Sequence, residues 1–136
     1  INGWKASMPA NFIVDASAWI EYLQGTEKGR KIAELFEAEE NVCHTPSTVV
    51  AEVVSKALRS NLDFNVAISA IINLSNIYEI NSESAIIAGH VHFAAKKQNK
   101  DFGMLDAFVI ATAKELKGKV ITTDSDFAAF KEAIVF

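Results

Sequence analysis

Cysteine occurs once in this chain, at Cys43, so no internal disulfide can form. Its place between Val42 and His44 is that of a small buried residue, and a reducing compartment fits. Proline is down to two and glycine to six, with no repeat, low-complexity tract or linker between them. No apolar run reaches the length of a membrane span and no stretch reads as a signal peptide, so a cytoplasmic protein with no membrane contact is expected. Basic residues are outnumbered by acids: a net charge of −4 argues against a polyanion binder that works through a basic surface. Nucleic acid stays open as a partner, because metal ions held by carboxylates reverse the local charge. What is present is half apolar and 22% charged, enough for the core of one domain in 136 residues. Residues 1–7 read as an addition ahead of a natural start at Met8, which makes the expected domain 8–136.

The chain is organised around Asn11-Phe12-Ile13-Val14-Asp15-Ala16-Ser17. Three apolar residues, two of them β-branched, predict a short strand buried on both faces that stops on a carboxylate. Trp19 to Leu23 then follows with helical spacing. Thr26 caps a helix with Ile32, Leu35 and Phe36 on one stripe. Asn41–Thr45 predicts a second strand ended by Pro46, with Ser47 capping a helix over Val49–Ser60. Phe64–Leu74 is a further helix and Ile77–Ile80 a third strand; Ser82 caps a long helix to about Lys97. After a loop at 98–103, Met104–Leu116 is a helix ended by Gly118 in the usual C-terminal position. Lys119–Thr122 and Ala133–Phe136 complete five strands. Strands alternating with helices predict an α/β fold, three layers α/β/α around a mainly parallel five-stranded sheet.

Several acids stand in unexpected places. Asp15 follows the first strand directly, where it either caps the next helix or faces a site beyond the strand end. Asp106 lies in Met104-Leu105-Asp106-Ala107-Phe108-Val109-Ile110-Ala111, apolar nearly all round, and is expected to be buried unless it is an N-cap. An ionised carboxylate there costs several kcal/mol unless paired or holding a cation. Glu52 is open to a plainer reading, a solvated stripe with a Glu52–Lys56 pair. Thr122-Thr123-Asp124-Ser125-Asp126-Phe127 ends the fourth strand as Asp15 ends the first; its acids either aim at one point, form an Asx-turn, or both. If these carboxylates converge, two of them about 4 Å apart repel by roughly 4 kcal/mol at an effective dielectric near 20. Retained protons or a divalent cation must relieve that. All-oxygen ligands select Mg²⁺ or Mn²⁺ over Zn²⁺. The histidines make no zinc case: His90 and His92 are two apart on a helix and His44 is alone.

On these four stretches, from Asn11 to Phe136, the chain resembles the PIN-domain nucleases, and most of all the VapC-type toxins of toxin–antitoxin pairs. The resemblance implies catalytic and metal-binding roles for Asp15, Glu52, Asp106 and Asp124, with Asp126 assisting at the metal and Ser17 and Thr122 supporting the acids from behind. It implies a Mg²⁺- or Mn²⁺-dependent endoribonuclease that hydrolyses single-stranded RNA to leave a 5′-phosphate and a 3′-hydroxyl. It also implies a central first strand with the fourth beside it, and an antitoxin segment lying over the acidic cleft. Lys56, Arg59, Lys96, Lys97 and Lys100 are candidates for phosphate contacts, but the Lys96–Lys100 group reads first as a solvated helix end and none of the five is assigned a binding role. The apolar Phe64–Leu74 helix, with Trp19 and Tyr22, suggests more apolar surface than one core needs, hence a homodimer.

Two other functions compete. A PIN-type nuclease could process RNA with no antitoxin. A phospho-receiver signalling domain shares the length, the parallel sheet and an acidic Mg²⁺ pocket, but wants paired acids at the first strand and a Lys-Pro after the last. Neither proline here follows a lysine. A dehalogenase-type phosphatase is rejected because its Asp-x-Asp belongs to the first strand, whereas Asp124 leaves only a dozen residues.

Overall fold

The computed structural model describes residues 10–136; the start at Met8 lies outside the described residues. In chain order the elements are β1 (Ala10–Val14), α1 (Ala16–Gln24), α2 (Glu27–Glu37), β2 (Asn41–Pro46), α3 (Ser47–Arg59), α4 (Phe64–Leu74), β3 (Asn76–Tyr78), α5 (Ser82–Lys96), α6 (Met104–Leu116), β4 (Lys119–Thr122) and β5 (Ala133–Val135). All pairings are parallel, in the order β3-β2-β1-β4-β5, and the helices make the outer layers of an α/β/α sandwich. Phe12, Ile13 and Val14 are fully buried in β1, as an unbroken apolar run in a central parallel strand requires. The chain travels outward from β1 to β3, then crosses back to place β4 on the other side of β1. At such a reversal the strand ends part and leave a crevice. The register sets Val14 against Ile121, so Asp15 and Thr122 leave the sheet side by side. The Asp15 backbone N–H still donates to the Ile121 carbonyl at 3.0 Å.

Trp19 corrects one expectation: it adds nothing to the surface. Its indole is fully buried and stacks on Phe36 with 4.9 Å between centroids, while the half-buried Tyr22 packs edge-on to both. The indole N–H donates to Thr45 Oγ1 at 3.1 Å. Ser75 Oγ spends its proton on the Ile71 carbonyl, so Thr45 donates to Ser75 at 2.7 Å. One directed chain of bonds thus joins α1, β2 and the end of α4. Cys43 is buried, and burial pushes its thiol up to about 11. Among the described residues no helix is long and apolar enough to cross a membrane.

Three predicted helix ends also need correction. Thr26 caps α2 as expected, accepting from the Gly29 N–H at 3.0 Å. Ser47 is instead the first residue of α3, after Pro46, and its hydroxyl accepts from the Ile80 N–H at 3.3 Å. Asn81, not Ser82, caps α5 by accepting from the Ser84 N–H. At the end of α6 the left-handed residue is Lys117, with φ 52°, and not Gly118. Gly118 is required for another reason: a Cβ there would lie 2.6 Å from Ile13 Cδ1 and 2.7 Å from the Asn11 carbonyl oxygen.

Candidate functional site

Asp15 occupies the N-cap position of α1 but makes no side-chain cap bond. Its carboxylate is held by the neighbouring strand end instead. Oδ2 accepts from Ser17 Oγ and from Thr122 Oγ1, each at 2.9 Å. Both hydroxyls also accept: Ser17 Oγ from the Thr123 N–H and Thr122 Oγ1 from the Asp124 N–H, each at 3.0 Å. A hydroxyl has one proton, so with both protons on Asp15 the 3.1 Å approach of Ser17 Oγ to Thr122 Oγ1 is only a contact. The β1 and β4 ends are therefore stitched together through one carboxylate oxygen. Asp15 is 4% exposed. Burial raises its pKa and the Asp124 charge adds to that, against the lowering by Ser17, Thr122 and the Ala16 N–H.

Glu52 and Asp106 reach the same region from α3 and α6. Glu52 is half-buried and makes no ion pair with Lys56, so the surface-pair reading gives way. Its Oε1 is buried with no hydrogen-bond partner. Burial, then the charges of Asp15 and Asp106, push Glu52 up to about 7, opposed by Lys56. Asp106 is half-buried, not buried as expected, because it falls in the first turn of α6, where Met104 and Leu105 are exposed too. It is not an N-cap: Gly103 takes that position, and Asp106 Oδ2 accepts from the Gly103 N–H at 3.3 Å. Burial and the Asp15 charge, with smaller contributions from Asp124 and Asp126, push it up to about 6. Asp124 forms the Asx-turn, accepting from the Asp126 N–H at 2.9 Å, and so starts a short 3₁₀ turn at Ser125–Phe127. Asp126 Oδ1 accepts from Asn99 Nδ2 at 3.2 Å.

The five predicted acids are thus linked around the β1/β4 crevice: Asp15 feels Asp124, Glu52 feels Asp15 and Asp106, and Asp106 feels Asp15, Asp124 and Asp126, with Ser17 and Thr122 bonded to Asp15. Sequence reasoning gave two groups no place in the site. Asn99, read only as part of a loop, holds Asp126. Thr48 lies one turn before Glu52 with a buried, unpartnered Oγ1. Neither carried a signal in its own neighbourhood. Of the lysines, Lys56 and Arg59 line a cleft with Thr48, Glu52 and Leu105. Lys97 lies over the Phe93 ring at 4.4 Å and Lys96 donates to the Lys100 carbonyl, which favours the helix-end reading for that group.

The donor set suits a hard divalent ion: it is all oxygen, it holds an orphaned Glu52 oxygen, and its members raise one another's pKa. Among the described residues no three His, Cys, Asp or Glu side chains are drawn together into a metal-holding group.

A family model described as the PIN domain matches residues 12–133. No curated protein matches the chain in sequence. Among solved structures, the chain is similar to the sarcin–ricin-loop-cleaving toxin VapC20 of Mycobacterium tuberculosis, at 16% identity and a TM-score of 0.73, covering 89% of this chain and 95% of that one. It is also similar to VapBC2 of Rickettsia felis bound to a promoter DNA fragment, at 12% identity and 0.73, with 93% and 97% covered. VapBC-1 of nontypeable Haemophilus influenzae matches at 20% identity and 0.69, with 92% and 97% covered.

Proposed function

The chain belongs to the PIN domain family, and on that footing we propose that it is a metal-dependent endoribonuclease cutting single-stranded RNA, acting as the toxin of a toxin–antitoxin pair. One observation carries the reading: Asp15, Glu52 and Asp106 come from three separate elements, yet all three are raised at the strand reversal, first by burial and then by the charge of neighbouring acids. Carboxylates held this close need either retained protons or a bound cation, and the all-oxygen donor set favours the cation. In this reading Asp15, Glu52, Asp106 and Asp124, with help from Asp126, hold Mg²⁺ or Mn²⁺. A bound ion of that kind brings water near neutral pKa and offsets charge on the phosphodiester. Ser17 and Thr122 fix one oxygen of Asp15, leaving its other oxygen free of side-chain bonds. Lys56 and Arg59, on the α3 face that also carries Glu52, are placed to meet the phosphates of the strand.

The toxin role is supported by the kind of protein the similar structures are, including a toxin–antitoxin complex from Klebsiella pneumoniae. The partner it calls for is an antitoxin chain whose segment covers the acidic cleft. The test is cleavage of single-stranded RNA by the purified protein with Mg²⁺ or Mn²⁺, with ends mapped as 5′-phosphate and 3′-hydroxyl. Undiminished cutting in EDTA would remove the metal. Expression should arrest growth, and a neighbouring open reading frame should relieve it; normal growth beside active RNA cleavage would point to RNA processing without an antitoxin.

A further inference from the structure

Next to the acids lies a cleft that the nuclease reading leaves unused. It has a volume of about 630 Å³ and runs between α5, the loop before α6 and the segment that follows the 3₁₀ turn. That size falls within the ~300–1,000 Å³ of small-ligand sites. Ile87, Val91, Phe102 and Phe130 form apolar walls. Phe130 is half-buried, its ring tilted on Phe102 with 5.2 Å between centroids, and it presents a flat surface. His90 and Gln98 are exposed at the rim. Lys114 also lines the cleft, but its ammonium is already paired with Glu132 at 2.9 Å, so no free charge awaits a phosphate here.

The cleft is continuous with the acids through Asp126. That carboxylate lines it and adds its charge to Asp106. Asn99 fixes the junction: its Nδ2 donates to Asp126, and its Oδ1 accepts from the Asp101 N–H at 3.0 Å. A phosphate at the acids therefore leaves the attached base within reach of a flat apolar slot edged by an imidazole and an amide. Unpaired bases are read in that way, by their faces on rings and by their edges on donors and acceptors.

We propose that this cleft receives a nucleobase of the strand being cut and so sets the nucleotide preferred beside the scissile bond. The proposal rests on the nuclease reading, but its binding step can be tested apart from it. Adenosine, guanosine, cytidine and uridine, titrated in EDTA, should include one that shifts the methyl NMR signals of Ile87 and Val91 saturably, while ribose does not. Gln98→Ala or His90→Ala should weaken that nucleoside by about fivefold, the loss of one hydrogen bond. Both variants should keep the wild-type Mn²⁺-induced rise in melting temperature, since neither side chain is among the acids. On RNA, both should flatten the preference beside the cut. No shift with any nucleoside, as for a cleft occupied by an apolar peptide, would overturn the proposal, as would equal shifts with ribose. Nucleoside binding without RNA cleavage would keep the cleft as a base-binding site but sink the nuclease reading and, with it, the cleft's part in cleavage preference.

Discussion

Under the proposed function, Asp106 is a side chain both needed and unwelcome. Its pKa is raised by burial and by Asp15, so in the absence of a cation its ionised form opposes the fold. Asp106→Asn keeps an oxygen to accept from Gly103 while removing that charge. Metal-dependent RNA cleavage should fall to background, while the metal-free melting temperature should hold or rise. The pH dependence has a definite sign. Glu52 at about 7 and Asp106 at about 6 both sit above their ordinary values, so between roughly pH 4 and 7 the folded chain binds more protons than the unfolded one. Metal-free stability should therefore fall as pH rises through that window. Millimolar Mn²⁺ should raise the melting temperature more at pH 8 than at pH 5, because ligation needs the deprotonated acids. An equal rise at both would place the ion elsewhere. Thr122→Val removes a bond that lowers the Asp15 pKa, so the acid limb of the cleavage–pH profile should move to higher pH.

At the scale of elements, the two residues that follow α6 make opposite demands on glycine. Lys117→Gly should stabilise by about 0.5–1 kcal/mol, since φ of 52° costs a lysine what it does not cost glycine. Gly118→Ala should destabilise by at least ~1–3 kcal/mol, because the new methyl meets β1. Chemical denaturation reads both. These cases also mark what the sequence could disclose. Strands and helices were legible because Phe12-Ile13-Val14 or Ile32, Leu35 and Phe36 carry their period in a few consecutive residues. The parallel order and the acids' nearness were legible through motif resemblance. Caps at Asn81 and Pro46 were not, since several polar residues there could serve and tertiary partners such as Ile80 decided between them. Nor was the use of Gly118, which depends on Asn11 and Ile13 more than a hundred residues earlier. The burial of Trp19 escaped for the same reason: Phe36, Thr45 and Ser75 are invisible from its own neighbourhood.

Taken whole, the molecule leaves apolar side chains outside its core. Phe64, Val66 and Ile72 on α4 and Ile86 and Phe93 on α5 are exposed, a wider spread than isolated surface residues need. We expect self-association through the exposed face of α4: sedimentation should give twice the chain mass, and Ile72→Asp should return it to one. A single-chain mass for the unaltered protein would refute this. The stitch between Asp15 and Thr122 has a consequence of another kind, for timing. A ribosome delivers the chain from its amino end, and Asp15 waits through 107 further residues for the strand that completes its surroundings. Until β4 emerges there is no crevice, however well the earlier segments have packed. On the proposed function, the chain should stay harmless until β4 has been made, and a fragment that ends before Thr122 should be inert.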